Sequence, residues 1–159
     1  MCYNIMKLLI LKAEELVKNP LCATYMSYIH ALRGTKVTSK AYFAEVKNAT
    51  YFLLTDGKTL FGIGRCSDLT EQFVKLHTGS ITKPSDYKMV SSVYVPEKFR
   101  GKGYAKQIVK EMCKKYPKLL LDTYLSWKPA VMLYLSVGFK IIARKKYHND
   151  DLLLFSHIR

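Results

Sequence analysis

Residues 86–116 read DYKMVSSVYVPEKFRGKGYAKQIVKEMCKKY. Residues 86–95 have the β-branched and aromatic content of a strand, and Pro96 ends it. Beyond the loop at Arg100-Gly101-Lys102-Gly103, the apolar residues Ala105, Ile108, Val109, Met112 and Tyr116 fall at i, i+3, i+4, i+7 and i+11. That spacing puts them on one helical face, with Lys106, Lys110 and Lys114 outside it. A strand therefore passes through a glycine loop into a helix. Glycine lets the backbone approach a ligand closely, and the free N–H groups at a helix start attract anions. Arg100 and Lys102 add positive charge there. The loop has neither the Walker A spacing nor that of the dinucleotide-binding GxGxxG fingerprint.

Working outward, 118–124 (KLLLDTY) reads as a buried strand. Pro129 opens a helix carrying Ala130, Leu133, Tyr134 and Val137, and Gly138 closes it. Residues 139–146 and 151–158 form two last strands about a turn at His148-Asn149-Asp150. Toward the N-terminus, 4–11 reads as a strand, and 12–18 and 21–33 as helices. Residues 41–46 (AYFAEV) and 50–55 (TYFLLT) read as strands. Asp56-Gly57 signals a two-residue hairpin turn that returns as 59–66. Residues 67–84 lack a clear period, end at Pro84, and read as a loop with room for one helical turn. Interleaved strands and helices predict one α/β domain over residues 1–159 with a mixed sheet.

The chain carries 26 Lys and Arg against 12 Asp and Glu, a formal net charge of +14, which favours anionic partners. The cysteines at 2, 22, 66 and 113 form no CxxC pair, and the four histidines have no ligand spacing, so no metal site is expected. The apolar run Leu8–Leu11 is too short for a membrane span. No membrane association is expected, and a cytoplasmic location is, with the nucleus left open.

The stretch Val93-Tyr94-Val95-Pro96-Glu97, followed by Phe99-Arg100-Gly101-Lys102-Gly103-Tyr104-Ala105, resembles the acetyl-CoA loop of the GNAT superfamily of N-acetyltransferases. The family form is Q/R-x-x-G-x-G/A, and Lys98 stands where Gln or Arg is usual. A second stretch, Leu121-Asp122-Thr123, Ser126-Trp127-Lys128-Pro129-Ala130, Leu133-Tyr134 and Gly138-Phe139, resembles a GNAT branch reading LDT-x-x-SMxxAxxLYxxxGF. Trp127 replaces the methionine of that branch. The resemblance covers the second half of the chain.

What the resemblance implies is a GNAT (acyl-CoA N-acyltransferase) fold whose mixed sheet splays between its fourth and fifth strands. It implies acetyl-CoA as cosubstrate, bound along the backbone of Val93, Tyr94 and Val95. The amides of Arg100, Gly101, Lys102, Gly103, Tyr104 and Ala105 would hold the pyrophosphate, and an N–H near Val93 would polarise the thioester carbonyl. Tyr134 matches the family tyrosine that protonates the leaving thiolate. The attacking amine must first lose a proton, since roughly one in two thousand is neutral at pH 7. Asp86, Asp122 and Glu45 are the acidic candidates for that base, with Asp86 and Asp122 ahead. The strand glutamate of protein-lysine members falls at Tyr87 here, which favours a small primary amine, such as a polyamine or amino sugar, as acceptor. A protein lysine or N-terminus is the alternative acceptor. A catalytically idle GNAT-fold domain that binds nucleic acid through its basic face is the alternative from another class. Either a monomer or a homodimer is compatible with the sequence.

Overall fold

The computed structural model describes residues 5–159, and Asn4 of the first expected strand lies outside them. Seven strands form one sheet in the order β1-β2-β3-β4-β5-β7-β6. They are β1 (Lys7–Leu11), β2 (Thr50–Thr55), β3 (Leu60–Asp68), β4 (Lys88–Tyr94), β5 (Lys118–Tyr124), β6 (Lys140–Tyr147) and β7 (Asp150–Ile158). Every neighbouring pair is antiparallel except β4 and β5, which run parallel. A parallel pair needs a crossover, and the helix after the glycine loop supplies it.

Strand alternation divides the core. Phe52, Leu54, Cys66, Leu119 and Leu121 face one side, where α5 (Tyr104–Lys115) and α6 (Lys128–Val137) contribute Ile108, Val109, Met112, Val131 and Tyr134. Tyr51, Leu53 and Ile63 face the other side, against α1 (Ala13–Val17), α2 (Cys22–Arg33) and α3 (Ser39–Ala44). α4 (Glu71–Leu76) covers Met89, Leu120 and Leu154 through Phe73. Helix α5 lies close to the sheet because β3 offers Gly62 and Gly64 beneath it. A Cβ on Gly64 would come 2.4 Å from Met112 Cε. Among the described residues, no helix is long and apolar enough to cross a membrane.

Three expectations are corrected. Residues 41–44 are helical within α3 and Glu45 and Val46 follow as a turn; Thr38 Oγ1 caps the first turn by accepting from the Ala41 N–H at 3.1 Å. The aromatic run suggested a strand, but Tyr42 alone is buried in that helix, and the cap outweighs a weak strand propensity. Residues 67–84 contain the six-residue helix α4, capped by Thr70 Oγ1 on the Phe73 N–H at 3.1 Å, and a 3-10 turn at Pro84–Asp86 takes Asp86 out of the expected strand, which begins at Lys88. These elements are too short to show a period. The β2–β3 link is a longer loop than the two-residue turn expected. Thr55 pairs with Leu60, and Asp56 Oδ1 ties the loop by accepting from the N–H groups of Lys58 and Thr59. The expected two-residue turn occurs instead between β6 and β7. There Tyr147 pairs with Asp150, and His148 and Asn149 both take positive φ.

Candidate active site

The parallel pairing of β4 and β5 stops early. Lys88 pairs with Leu119 and Met89 with Leu120, and beyond that the strands continue unpaired to Tyr94 and Tyr124. A bulge in β4 accompanies the parting. Arg65 of β3 pairs with Ser91 but Ile63 pairs with Tyr94, so Ser92 and Val93 both lie opposite Gly64. Ser92 takes φ 56°, an unusual state for serine. Its neighbours hold it there: Tyr42 Oη donates to Ser92 Oγ at 3.0 Å, and Arg65 Nε donates to Ser91 Oγ at 3.0 Å. Tyr42 is fully buried and Arg65 nearly so, so both serine contacts come from fixed groups.

On the α5 side, the parted strands open into a groove of about 430 Å³. Val93, Tyr94, Val95, Arg100, Gly101, Gly103, Tyr104 and Ala105 line it, as does Tyr134. Lys102, the remaining member of the expected binding set, is exposed and does not line it. Gly101 and Gly103 both take φ +80°, which a side chain would oppose. A Cβ on either would meet nothing within 4 Å, so the space around these glycines is open. The first helical bond of α5 runs from the Gln107 N–H to the Gly103 carbonyl at 3.0 Å, which leaves the earlier amides of the helix start without intrahelical partners. Arg100 does more than add charge: its Nε donates to the Val95 carbonyl at 2.8 Å and so braces the loop against the end of β4. Sequence reasoning missed the wall made by Leu32, Phe99, Pro129, Ala130 and Leu133. Those residues carry only an apolar signal, and their convergence needs the fold.

Tyr134 sits on α6 with its ring edge-on to Phe139 at 5.6 Å and tilted to Phe155 at 6.0 Å. It is 8% exposed, and among the described residues its hydroxyl has no hydrogen-bond partner. Burial, with a smaller contribution from the Cys66 thiol, pushes this phenol well above its ordinary value of 10.

The three acidic candidates separate. Asp86 lies in the 3-10 turn before β4, 3.8 Å from Lys118 Nζ, at the end where β4 and β5 still pair. Glu45 is bound by both Nη atoms of Arg33 at 2.7 Å and lies 3.5 Å from Arg65, a contact that ties α2 to the end of α3. Asp122 stands on β5 just past the last parallel pair. Its Oδ2 lies 2.7 Å from Nε2 of His77, a histidine buried at the end of α4 and missed in the sequence. Strand alternation sends Asp122 with Leu120 to the sheet face opposite Leu119, Leu121 and the groove. The position of Tyr87 holds no carboxylate, and its ring lies under Lys118 Nζ at 5.7 Å.

The acetyltransferase (GNAT) domain model matches residues 47–141, more than half of the chain. The chain belongs to the GNAT acetyltransferase family. Solved structures of this family share its fold. The ribosomal-protein-S18-alanine N-acetyltransferase from Escherichia coli aligns with TM-score 0.68 at 13% identity, covering 97% of this chain and 94% of its own. Arabidopsis thaliana NAA60 in complex with acetyl-CoA aligns with TM-score 0.70 at 14% identity, covering 97% and 98%. The aminoglycoside acetyltransferase AAC(6')-Ib in complex with coenzyme A aligns with TM-score 0.64 at 14% identity, covering 98% and 95%. No curated protein matches the chain in sequence. The GNAT chain described here is an acetyltransferase by family, and its parted strands and glycine loop lie within the matched residues.

Proposed function

We propose that this GNAT protein moves an acetyl group from acetyl-CoA to a small primary amine. The observation that carries the reading is a single groove that joins the glycine loop, the unpaired edge of β4 and the Tyr134 ring. The fit of a coenzyme A molecule rests on three features of that groove. Gly101 and Gly103 leave open space beside an anion-attracting helix start. The β4 edge past Met89 offers backbone groups free of a partner strand. Ala130 and Leu133 supply an apolar wall.

Acetyl-CoA supplies the activated acyl group. The amides of residues 100–105 bind its pyrophosphate, and the Val93–Val95 backbone orients its pantetheine arm. An N–H beside Val93, freed by the bulge, polarises the thioester carbonyl. Tyr134 Oη holds a proton for the departing sulfur; the raised phenol value keeps that proton in place at working pH. Asp122 is the proton acceptor for the incoming amine, since it borders the gap on the face opposite the groove and His77 fixes its orientation. Asp86 is set aside because its neighbour is Lys118 and β4 and β5 are still paired where it lies.

A free-thiol assay tests this, with acetyl-CoA and pools of alkyl amines, polyamines, aminoglycosides and lysine peptides. Thiol release with a small-amine pool is expected. Release with lysine peptides alone would move the acceptor to protein, and release with none would remove the reading.

A further inference from the structure

β5 ends at Tyr124, and the chain turns through Leu125-Ser126-Trp127 into α6, the helix that carries Tyr134. Tyr124 follows Asp122 by two residues, so both project from the same face, about 6.7 Å apart along the strand. At this corner the Tyr124 ring meets Trp127 edge-on at 5.2 Å and lies parallel to Tyr147 at 6.5 Å, with an interplanar angle of 14°. Trp127 is 58% exposed, a large ring left in water just past the end of β5. Asp150, joined to Tyr147 by the two-residue turn, lies against the same corner: Ser126 Oγ donates to it, and Leu125 bonds to the next residue of β7. Burial first, then Tyr147 and the Asp122 and Asp150 carboxylates, push the Tyr124 phenol up, which fits two acids close to its hydroxyl. Two carboxylates and three aromatic rings thus meet at one corner of a chain of net charge +14. Of the basic side chains nearby, Arg144 and Lys146 bind Asp151 on the other sheet face, Lys145 donates to the Leu76 carbonyl, and Lys128 beside Trp127 is exposed to water.

We propose that the rings of Tyr124, Trp127 and Tyr147, with Asp150, bind a second positive charge on the acceptor, while the reacting nitrogen lies at Asp122. The acceptor class is then an alkyl diamine or polyamine. The faces of aromatic rings attract ammonium groups, and a neighbouring carboxylate adds to the attraction. A five-carbon diamine spans a distance comparable to that between Asp122 and Tyr124. This inference rests on the reading of the protein as an amine acetyltransferase whose acceptor enters from the face opposite the groove.

Trp127 is the single tryptophan of the chain, so its fluorescence reports the site without any turnover. The experiment titrates 1,5-diaminopentane and pentylamine into the protein in 0.15 M salt, with and without coenzyme A. A saturable change in Trp127 emission is expected, with the diamine at least tenfold tighter than the monoamine. By calorimetry, Trp127→Ala and Asp150→Asn should each weaken diamine binding several-fold, and Trp127→Phe should keep most of it. No emission change, equal affinity for the two amines, or unchanged diamine binding in Trp127→Ala would each overturn the site. Thiol release with acetyl-CoA separates the two readings. Equal kcat/KM for diamine and monoamine retains the transferase and overturns the cation site. Diamine binding without acetylation of any amine retains the site and overturns the transferase.

Discussion

Tyr134 and Ser92 show how single residues are set by their surroundings. Tyr134 is an ordinary core aromatic by packing, yet it also lines the groove. Tyr134→Phe should keep the ring contacts with Phe139 and Phe155 and so keep the fold. Removing an acid used chiefly in the transition state should lower kcat by roughly 10²-fold, the low end for general acid catalysis, because a thiol is a better leaving group than an alcohol. Coenzyme A affinity, measured alongside, should stay close to wild type. Because burial raises the phenol above 10, the acid form persists through neutral and mildly alkaline pH. No fall in kcat from this group is expected below about pH 10, the ordinary value for tyrosine. Equal kcat in the two proteins, with chemistry limiting, would return Tyr134 to the core. Ser92 differs: its positive φ is imposed by the bulge and held by Tyr42, and nothing local to a serine announces it.

Between elements, two connections are open to test. The glycine loop joins β4 to α5 through two left-handed residues, and a side chain there costs about 1–2 kcal/mol. Gly101→Val or Gly103→Val should raise the Kd for coenzyme A at least tenfold, about 1.4 kcal/mol. Unchanged calorimetric affinity in both variants would remove the pyrophosphate from this loop. The second connection is Arg33 with Glu45, which ties α2 to the end of α3. The hydrogen-bonded Arg33 guanidinium holds the Glu45 carboxyl below its ordinary value. A lowered carboxylate pKa gives stability that is present above the unfolded value, about 4.3, and is lost as pH falls through the lower folded value. Glu45→Gln should therefore lower stability at pH 7, by less than about 1 kcal/mol since the pair is partly exposed, and its Tm should approach that of wild type as pH falls below about 4. A Tm difference that does not narrow as pH falls would mean that Glu45 acts through packing.

At the scale of the molecule, the last strand in the chain is an inner strand of the sheet. β7 pairs with β5 along its length on one side and with β6 on the other. It also buries Leu152, Leu153, Leu154 and Phe155. Ending the chain at Asn149 should leave β6 without a partner and β5 held only by its two pairs with β4, and expose the face that supports Tyr134. No cooperative thermal transition is expected from that truncation. A sharp transition with native near-ultraviolet dichroism would show that β1 to β5 stand alone.

Features that depend on neighbours along the chain are readable from the residues alone. The period of α5, the loop at Gly101 and Gly103, and the helix opened by Pro129 and closed by Gly138 are local arrangements of residue types. Each reads as local physics demands, and the glycine spacing carried the family as well. The place of Tyr134 on the helix that lines the groove was legible for the same reason. The tertiary structure alone decided what depends on contacts between distant segments. α3 is a helix because a cap and one buried tyrosine outweigh an aromatic run that a strand would also accept. The bulge at Ser92 depends on Tyr42, fifty residues earlier. Asp122 gains its orientation from His77, forty-five residues away in a segment with no period of its own. The rings of Tyr124, Trp127 and Tyr147 meet only because β7 brings β6 alongside β5 in the sheet. Pairings across such separations are chosen by packing and burial in the assembled core, which no local pattern encodes.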